Sequence, residues 1–535
     1  MGYMAKTRIR RGNRVYVYER ENYRDEFGKV KHRNTRYLGV EVTIDGKTEI
    51  IPPKRRRRDF QVTNSVRYGD IAVLYTIFKE HGLITQLDEL VPRRGLPVGD
   101  VLVSLAINHI IDRKSLSKFS KWYDSTALAD FTRIPGAKLN PANIGAVMDT
   151  VKDIGPEGMV DVCIEIFKKI RRFETEPDTL LYDITSTYFY ATTLPKARRG
   201  YNRDENNLPQ INISLVVTEN KGFPLFFRTY EGNIPDVKTI EQLIHDIKRV
   251  GLRIDTVILD RGMISRKNLI DLAASRLRVI GGVPLTSNEA KELVMHEITE
   301  ENELIRPSGL LYYEDIPTTL FGIPGRAIVC FNHADLEKER TTRLKKIRVA
   351  ERRIKELLAS DIDMGSLEQE IKTAIYGVSS YFIVSREEGK ITVNPHNKNR
   401  REARLRDGKY LIFTTDFEKS ADKMISQYFG KDMIEKIFDC FKNWLDIHPV
   451  RHFDEGRVDV YVFVCYLAYL VLMLYRDRLD SSGWEGIKTG VEELGRIMKT
   501  TLDFWGERVD KITVLTKEQK EIITRLGLER LFEGL

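Results

Sequence analysis

The spacing of apolar residues changes character several times along this chain, and each change marks an element boundary. Over residues 12–50 apolar and polar side chains alternate, as in Arg14-Val15-Tyr16-Val17-Tyr18, and Asp25-Glu26-Phe27-Gly28 supplies a turn, which predicts short strands. Pro52-Pro53 and the run Lys54-Arg55-Arg56-Arg57-Arg58 close that small unit. From about 65 to 172 the period becomes helical, as in Ile71-Ala72-Val73-Leu74 and Val101-Leu102-Val103. After Pro177, β-branched and aromatic residues take over. Runs at 180–190, 211–217 and 224–230 predict three strands, the last two joined at Asn220-Lys221-Gly222. A helix follows from Asp236, a suitable N-cap, to Val250. Next come a strand at 256–259 running into Asp260, a helix near 266–275 and a strand at 279–285. A three-strand meander followed by helix, strand, helix, strand describes an α/β fold, a mixed sheet flanked by helices.

Residues from about 300 to 418 interrupt this core with strand-like runs at 310–313, 327–331, 381–384 and 410–415 and a highly charged helical stretch at 335–358. Helices resume at 419–446 and 454–477, and the tail from 483 has helical pieces around a possible strand at 511–515. The stretch 460–475 is 16 residues without a charge, bounded by Asp459 and by Arg476, Asp477 and Arg478. A membrane-spanning helix needs about 20 apolar residues, so a buried core helix is the expectation. The division that follows is 1–60, a basic β-rich arm; 61–175, a helical section suited equally to reading DNA or to packing alone; 176–300 and 419–480, the two parts of the mixed α/β core; 301–418, the segment that interrupts it; and 481–535, a helical tail.

Charge adds one feature. Residues 1–60 hold 17 Lys/Arg against 8 Asp/Glu, a net of +9 against +8 for the whole chain, so the entire positive excess sits in that arm. Such arms seek phosphates or anionic membranes. The four cysteines (Cys163, Cys330, Cys440, Cys465) are scattered with no Cys-x-x-Cys pair, which argues against a disulfide framework or zinc site and for a reducing cytosol. The start MGYMAKTRIRRGNR lacks the apolar stretch of a secretory signal.

The chemistry lies in three acids. Asp183 and Asp260 each sit in, or end, an apolar strand, where a carboxylate is costly unless paired, hydrogen-bonded or metal-bound. Ligands of α/β sheets gather at the carboxyl ends of strands. Tyr428, Lys431, Glu435 and Lys442 are spaced to fall on one stripe of a single α-helix, at about 100° per residue. A carboxylate flanked by cations on one face suits a metal ion beside a phosphate backbone. His448 and His452 are four apart, but the intervening Pro449 argues against a helical metal pair. Asp204 and Asp439 read as hydrogen-bonded or solvated, and Thr185 and Ser186 have no neighbouring base to make a nucleophile.

These residues resemble the prokaryotic insertion-sequence transposases of the Asp-Asp-Glu (DDE) type, in the subgroup with a Tyr-x2-Arg-x3-Glu-x6-Lys signature. The resemblance rests on Tyr182-Asp183-Ile184-Thr185, on Leu259-Asp260-Arg261-Gly262, and on Tyr428, Lys431, Glu435 and Lys442. It is supported by Gly200-Tyr201-Asn202-Arg203-Asp204, Glu231-Gly232-Asn233 and Leu445-Asp446-Ile447-His448-Pro449, and covers roughly 175–480. It departs at Lys431, where the signature has Arg, which keeps the charge but loses the bidentate fork. The resemblance implies a ribonuclease H-like core and two Mg²⁺ (or Mn²⁺) ions held by Asp183, Asp260 and Glu435. It also implies phosphate contacts from Tyr428, Lys431 and Lys442, with Lys54, Arg55, Arg56, Arg57 and Arg58 as further DNA-binding candidates. The implied activity is cleavage of double-stranded DNA at an element's inverted ends and transfer of the 3′ ends to target DNA, by a homodimer in a synaptic complex. The alternatives are a nuclease of the same fold without strand transfer and a DNA-binding protein with a decayed site.

Overall fold

The computed structural model describes residues 3–533 except 13, 45–46, 54–59, 92–94, 172–177, 191–193, 201–207, 300, 307–308, 388–389, 448–449, 451, 453, 480–483 and 505–506. The run Lys54, Arg55, Arg56, Arg57, Arg58, together with Asp204 and His448, lies outside the described residues. The chain divides into two compact units, one of residues 1–76, 118–139 and 475–535, the other of 77–117 and 140–474.

The first unit holds two antiparallel sheets. β1 (Tyr3–Arg11), β2 (Arg14–Arg24), β3 (Val30–Ile44) and β4 (Lys47–Ile51) pair in sequence order. Lys6, Arg8 and Arg10 alternate along the exposed side of β1, and Arg8 meets Glu41 at 2.6 Å. β5 (Phe60–Arg67) opens the section read as helical and pairs with β17 (Met498–Phe504), which pairs with β18 (Glu507–Ile512). Helix α1 (Gly69–Glu80) begins in this unit, joined by α4 (Leu116–Asp124), α5 (Leu128–Thr132), α17 (Trp484–Gly495) and α18 (Lys517–Leu526). The carboxylate of Asp70 is fully buried and is compensated by Arg67 at 2.7 Å.

The second unit is built on a nine-stranded mixed sheet. β6 (Thr179–Tyr188), β7 (Gln210–Thr218) and β8 (Pro224–Glu231) form the antiparallel meander read from the sequence. β9 (Thr256–Leu259) lies parallel to β6, and β10 (Arg278–Gly282) lies parallel to β9. β11 (Glu303–Arg306), β12 (Gly309–Leu320), β13 (Ile323–Phe331) and β16 (Lys409–Thr414) continue the same sheet antiparallel, in the order β11-β12-β13-β16-β10-β9-β6-β7-β8. The strands of the 301–418 segment thus extend the core sheet. The segment departs from it only at α11 (His333–Leu358), α12 (Met364–Ala374), the two-stranded β14 (Phe382–Glu387)–β15 (Lys390–Pro395), and α13 (Asn397–Arg406). Ile347, Ala350, Ile354, Ile375, Val378 and Phe382 give that excursion its own apolar core.

Helices α2 (Leu83–Leu90), α3 (Val98–Ile111), α6 (Pro141–Lys152) and α7 (Gly155–Arg171) precede the sheet, and α8 (Ile240–Val250), α9 (Arg266–Ala274) and α10 (Asn288–Val294) connect its strands. α16 (Glu455–Leu479) carries the uncharged stretch, and 94% of its most apolar 18-residue window is buried, as a core helix requires. It lies on the β7–β8 hairpin, where the hydroxyl of Tyr466 donates to the carbonyls of Pro224 and Leu225 and that of Tyr469 to Gly222. All four cysteines are buried and unpaired.

The single helix expected over 419–446 does not form. α14 (Ala421–Phe429) ends at Gly430, α15 (Asp432–Asp439) starts afresh with Lys431 as its cap, and residues Cys440–Trp444 form a π turn. At the join the amide of Ile434 donates to the carbonyl of Lys431, a three-residue step that tightens the chain. The π turn rotates the last part of the stripe, so Tyr428, Lys431, Glu435 and Lys442 occupy three different helical segments.

Candidate active site

The parallel pairing of β6 with β9 places the first two acids. The register matches Tyr182 to Leu259, so Asp183 and Asp260 each lie one position past the last paired residues, on neighbouring strands about 4.8 Å apart. Alternation along a strand turns them to the same side, opposite Tyr182, whose buried hydroxyl donates to Thr239 at 2.7 Å. The local sequences enforce this arrangement. Leu180, Leu181, Val257, Ile258 and Leu259 are buried, which fixes the register, and the chain leaves the sheet after Asp260 through a 3₁₀ turn in which Met263 donates to the Asp260 carbonyl. Asp183 and Asp260 are half-buried, and an oxygen of Asp183 accepts from the Ile184 amide at 2.7 Å.

The ammonium of Lys431 donates to the carboxylate of Asp260. It also lies over the ring of Tyr428, 5.0 Å from the centroid. Burial by itself would lower the pKa of Lys431; Tyr428 and the carboxylates of Asp260 and Asp183 outweigh it and hold the ammonium above lysine's usual range. The phenol of Tyr428 is raised by burial, with Lys431 opposing. Tyr428 is only 7% exposed, and its hydroxyl sits directly over Gly282 at the end of β10, where an added Cβ would come within 2.2 Å. The phenol therefore supports Lys431 from beneath rather than standing in solvent.

Glu435 is exposed on α15, whose buried side carries Ile434, Ile437 and Phe438 and which packs across β6. Among the described residues no three His, Cys, Asp or Glu side chains are placed to hold a metal ion together, so Glu435 is not gathered with Asp183 and Asp260 here. Lys442 is half-buried in the π turn. Past that turn, the Thr187 hydroxyl donates to the Ile447 carbonyl on the face of β6 that bears Asp183.

The weaker candidates fall elsewhere. His452 is half-buried against Tyr461, its pKa pushed down to about 4 by burial and the neighbouring charge of Arg457. Asp439 accepts from Asn443, and Thr185 and Ser186 are buried within β6. One residue that sequence reasoning quoted without giving it a role stands beside the site: Arg261, exposed, donates from Nε to the Val283 carbonyl at 3.2 Å. Its place directly after Asp260 was the available signal.

Two carboxylates side by side at the carboxyl ends of adjacent parallel strands lie where open α/β sheets place their ligands. The chain belongs to the family described as the transposase DDE domain, which matches residues 174–471 and makes it an enzyme of DNA transposition. No curated protein matches it. Among solved structures it is similar to the piggyBac transposase synaptic complex with hairpin DNA, at 10% identity, 80% of this chain, 79% of that one and a TM-score of 0.37. It is also similar to the Drosophila P element transposase strand transfer complex, at 12% identity, 86% of this chain, 85% of that one and a TM-score of 0.20.

Proposed function

We propose that the protein is an insertion-sequence transposase that binds the inverted ends of its element, cleaves them and joins the 3′ ends to target DNA. The observation that carries this reading is the side-by-side placement of Asp183 and Asp260 on β6 and β9. The strand order β8-β7-β6-β9-β10, with only β6, β9 and β10 mutually parallel, supports a ribonuclease H-like core.

The donor set fits a hard divalent cation. Carboxylate oxygens are the ligands Mg²⁺ and Mn²⁺ prefer, and Asp260 already accepts a cation, the ammonium of Lys431. Asp183 and Asp260 would hold the metal, with Glu435 as the third acid because its helix packs on the strand of Asp183. Two bound ions would supply Lewis-acid polarisation of the phosphate oxygens and activation of the attacking water or 3′-hydroxyl. The chain's own residues bind and orient. Lys431, held by Tyr428, offers a point charge to a phosphate, and Lys442 a second on the following turn. Partial burial of both aspartates strengthens every charge interaction in the site relative to open water. Double-stranded DNA as the partner, a synaptic homodimer and action in the cytoplasm, at the nucleoid, complete the reading.

The test uses a labelled duplex carrying the element end and a supercoiled plasmid. Asp183→Asn, Asp260→Asn and Glu435→Gln should each abolish Mn²⁺-dependent cleavage and joining while leaving DNA binding intact. Nicks without joined product would reduce the protein to a nuclease, and full activity in Asp183→Asn would remove the proposal.

A further inference from the structure

Beside the aspartate pair, the second unit carries an open groove of about 590 Å³ whose lining is rich in cations: Arg261, Lys338, Arg343, Lys346, Arg406 and Lys409. It begins at Arg261, next in sequence to Asp260, and runs along α11 to the turn between α13 and β16. Three acids share the lining, Asp335, Glu339 and Asp407, and two of them are already engaged. Asp407 takes a two-pronged contact from Arg343, and Glu339 accepts from the Gly408 amide at 2.9 Å. These contacts fasten α11 to the α13–β16 turn. Lys338, Lys346 and Arg406 make no ion pair among the described residues, and the two lysines are exposed.

The spacing discriminates between ligands. Lys338, Thr342 and Lys346 follow at i, i+4 and i+8 on one side of α11, so the two ammonium-bearing positions are about 12 Å apart along the helix. A single phosphate cannot bridge that span, whereas a row of phosphates can. Residues 61–535 are close to neutral overall, so this concentration of unpaired cations is local.

We infer that this groove seats the phosphate backbone of one DNA strand flanking the bond cut at Asp183 and Asp260. The inference rests on the transposase reading and adds to it a DNA track formed by α11 and α13. Contacts to backbone are sequence-independent and release counterions, each one adding about 0.9 to the salt slope of duplex binding.

The experiment measures affinity of the full chain for a fluorescein-labelled random-sequence duplex across a range of salt. Lys338→Gln/Lys346→Gln/Arg406→Gln should weaken binding at low salt and reduce the slope by about two to three. The charge-conserving Lys338→Arg/Lys346→Arg/Arg406→Lys should restore both, which separates charge from folding. An unchanged slope in the Gln variant, with parental cleavage by the wild-type chain intact, would overturn the groove and leave the transposase reading standing. A wild-type chain that neither binds nor cleaves DNA would overturn both.

Discussion

Lys431 brings a positive charge to the aspartate pair. Its ammonium contacts Asp260 and is drawn by Asp183, so a divalent ion held by these carboxylates, as proposed, would have to displace it or shift it toward a phosphate. Lys431→Met should therefore raise the affinity of the DNA-free protein for Mn²⁺ by a few-fold to about tenfold, the scale of a partly exposed ion pair. Titration of free Mn²⁺ by electron paramagnetic resonance reads this directly, and weaker binding in the variant would show that Lys431 instead organises the ligands. A second residue sets a pH dependence. Burial holds His452 at about 4, against about 6.5 in an unfolded chain, so between those values the unfolded state binds more protons. Stability contributed by neutral His452 is complete above about 6.5 and is lost as the pH falls toward 4, by at most about 3 kcal/mol. His109, half-buried and also lowered by burial, acts in the same direction, facing Tyr461 as His452 does. His452→Asn should flatten part of the acid limb in urea unfolding followed from pH 7 to pH 4.

At the scale of elements, the decisive event is the division of one amphipathic stretch into α14, α15 and a π turn. It lets Tyr428 turn onto β10 while Lys431 reaches Asp260 from the next helix's cap. Gly282 makes the first of these possible, since any side chain there would meet the phenol oxygen. Gly282→Ala should destabilise the protein by about 1–3 kcal/mol through overpacking. Adding Tyr428→Phe, which removes the clashing oxygen, should recover part of the loss, a non-additivity visible in thermal unfolding. Equal losses in the single and double variants would place the strain elsewhere. The sequence announced most of the elements around this join. The meander β6–β8, the helix at 266–274 and the long charged helix at 333–358 all form where their periodicities put them. The break at Gly430 was invisible because the spacing of the four polar residues fits an uninterrupted helix, and periodicity carries no information about where a helix must bend to reach a partner.

For the molecule as a whole, charge is unevenly spread. The N-terminal residues hold the whole positive excess, and part of that charge is engaged within their own sheet, as Arg8 is with Glu41 and Arg33 with Glu21. The run at 54–58 is the densest block of cations in the chain. Replacing Lys54, Arg55, Arg56, Arg57 and Arg58 with Gln should lower the salt slope of duplex binding by up to about four or five. The effect should add to that of the groove variant, because separate phosphates are involved, and a slope that stays put would assign the run to another role.

What the residues alone determined is the meander-then-alternating order of β6–β10, the aspartates that end up in its strands, the buried nature of the 460–475 helix and the basic arm. Each follows from short-range periodicity, strand chemistry or local charge, which neighbouring residues are enough to specify. Only the tertiary structure decided that Asp183 and Asp260 stand side by side, that Lys431 rather than Glu435 joins them, and that strands from 301–418 widen the core sheet. Those outcomes depend on register, on helix breaks and on pairing between residues up to about two hundred positions apart, where the cost of closing the loop is repaid only by the assembled core.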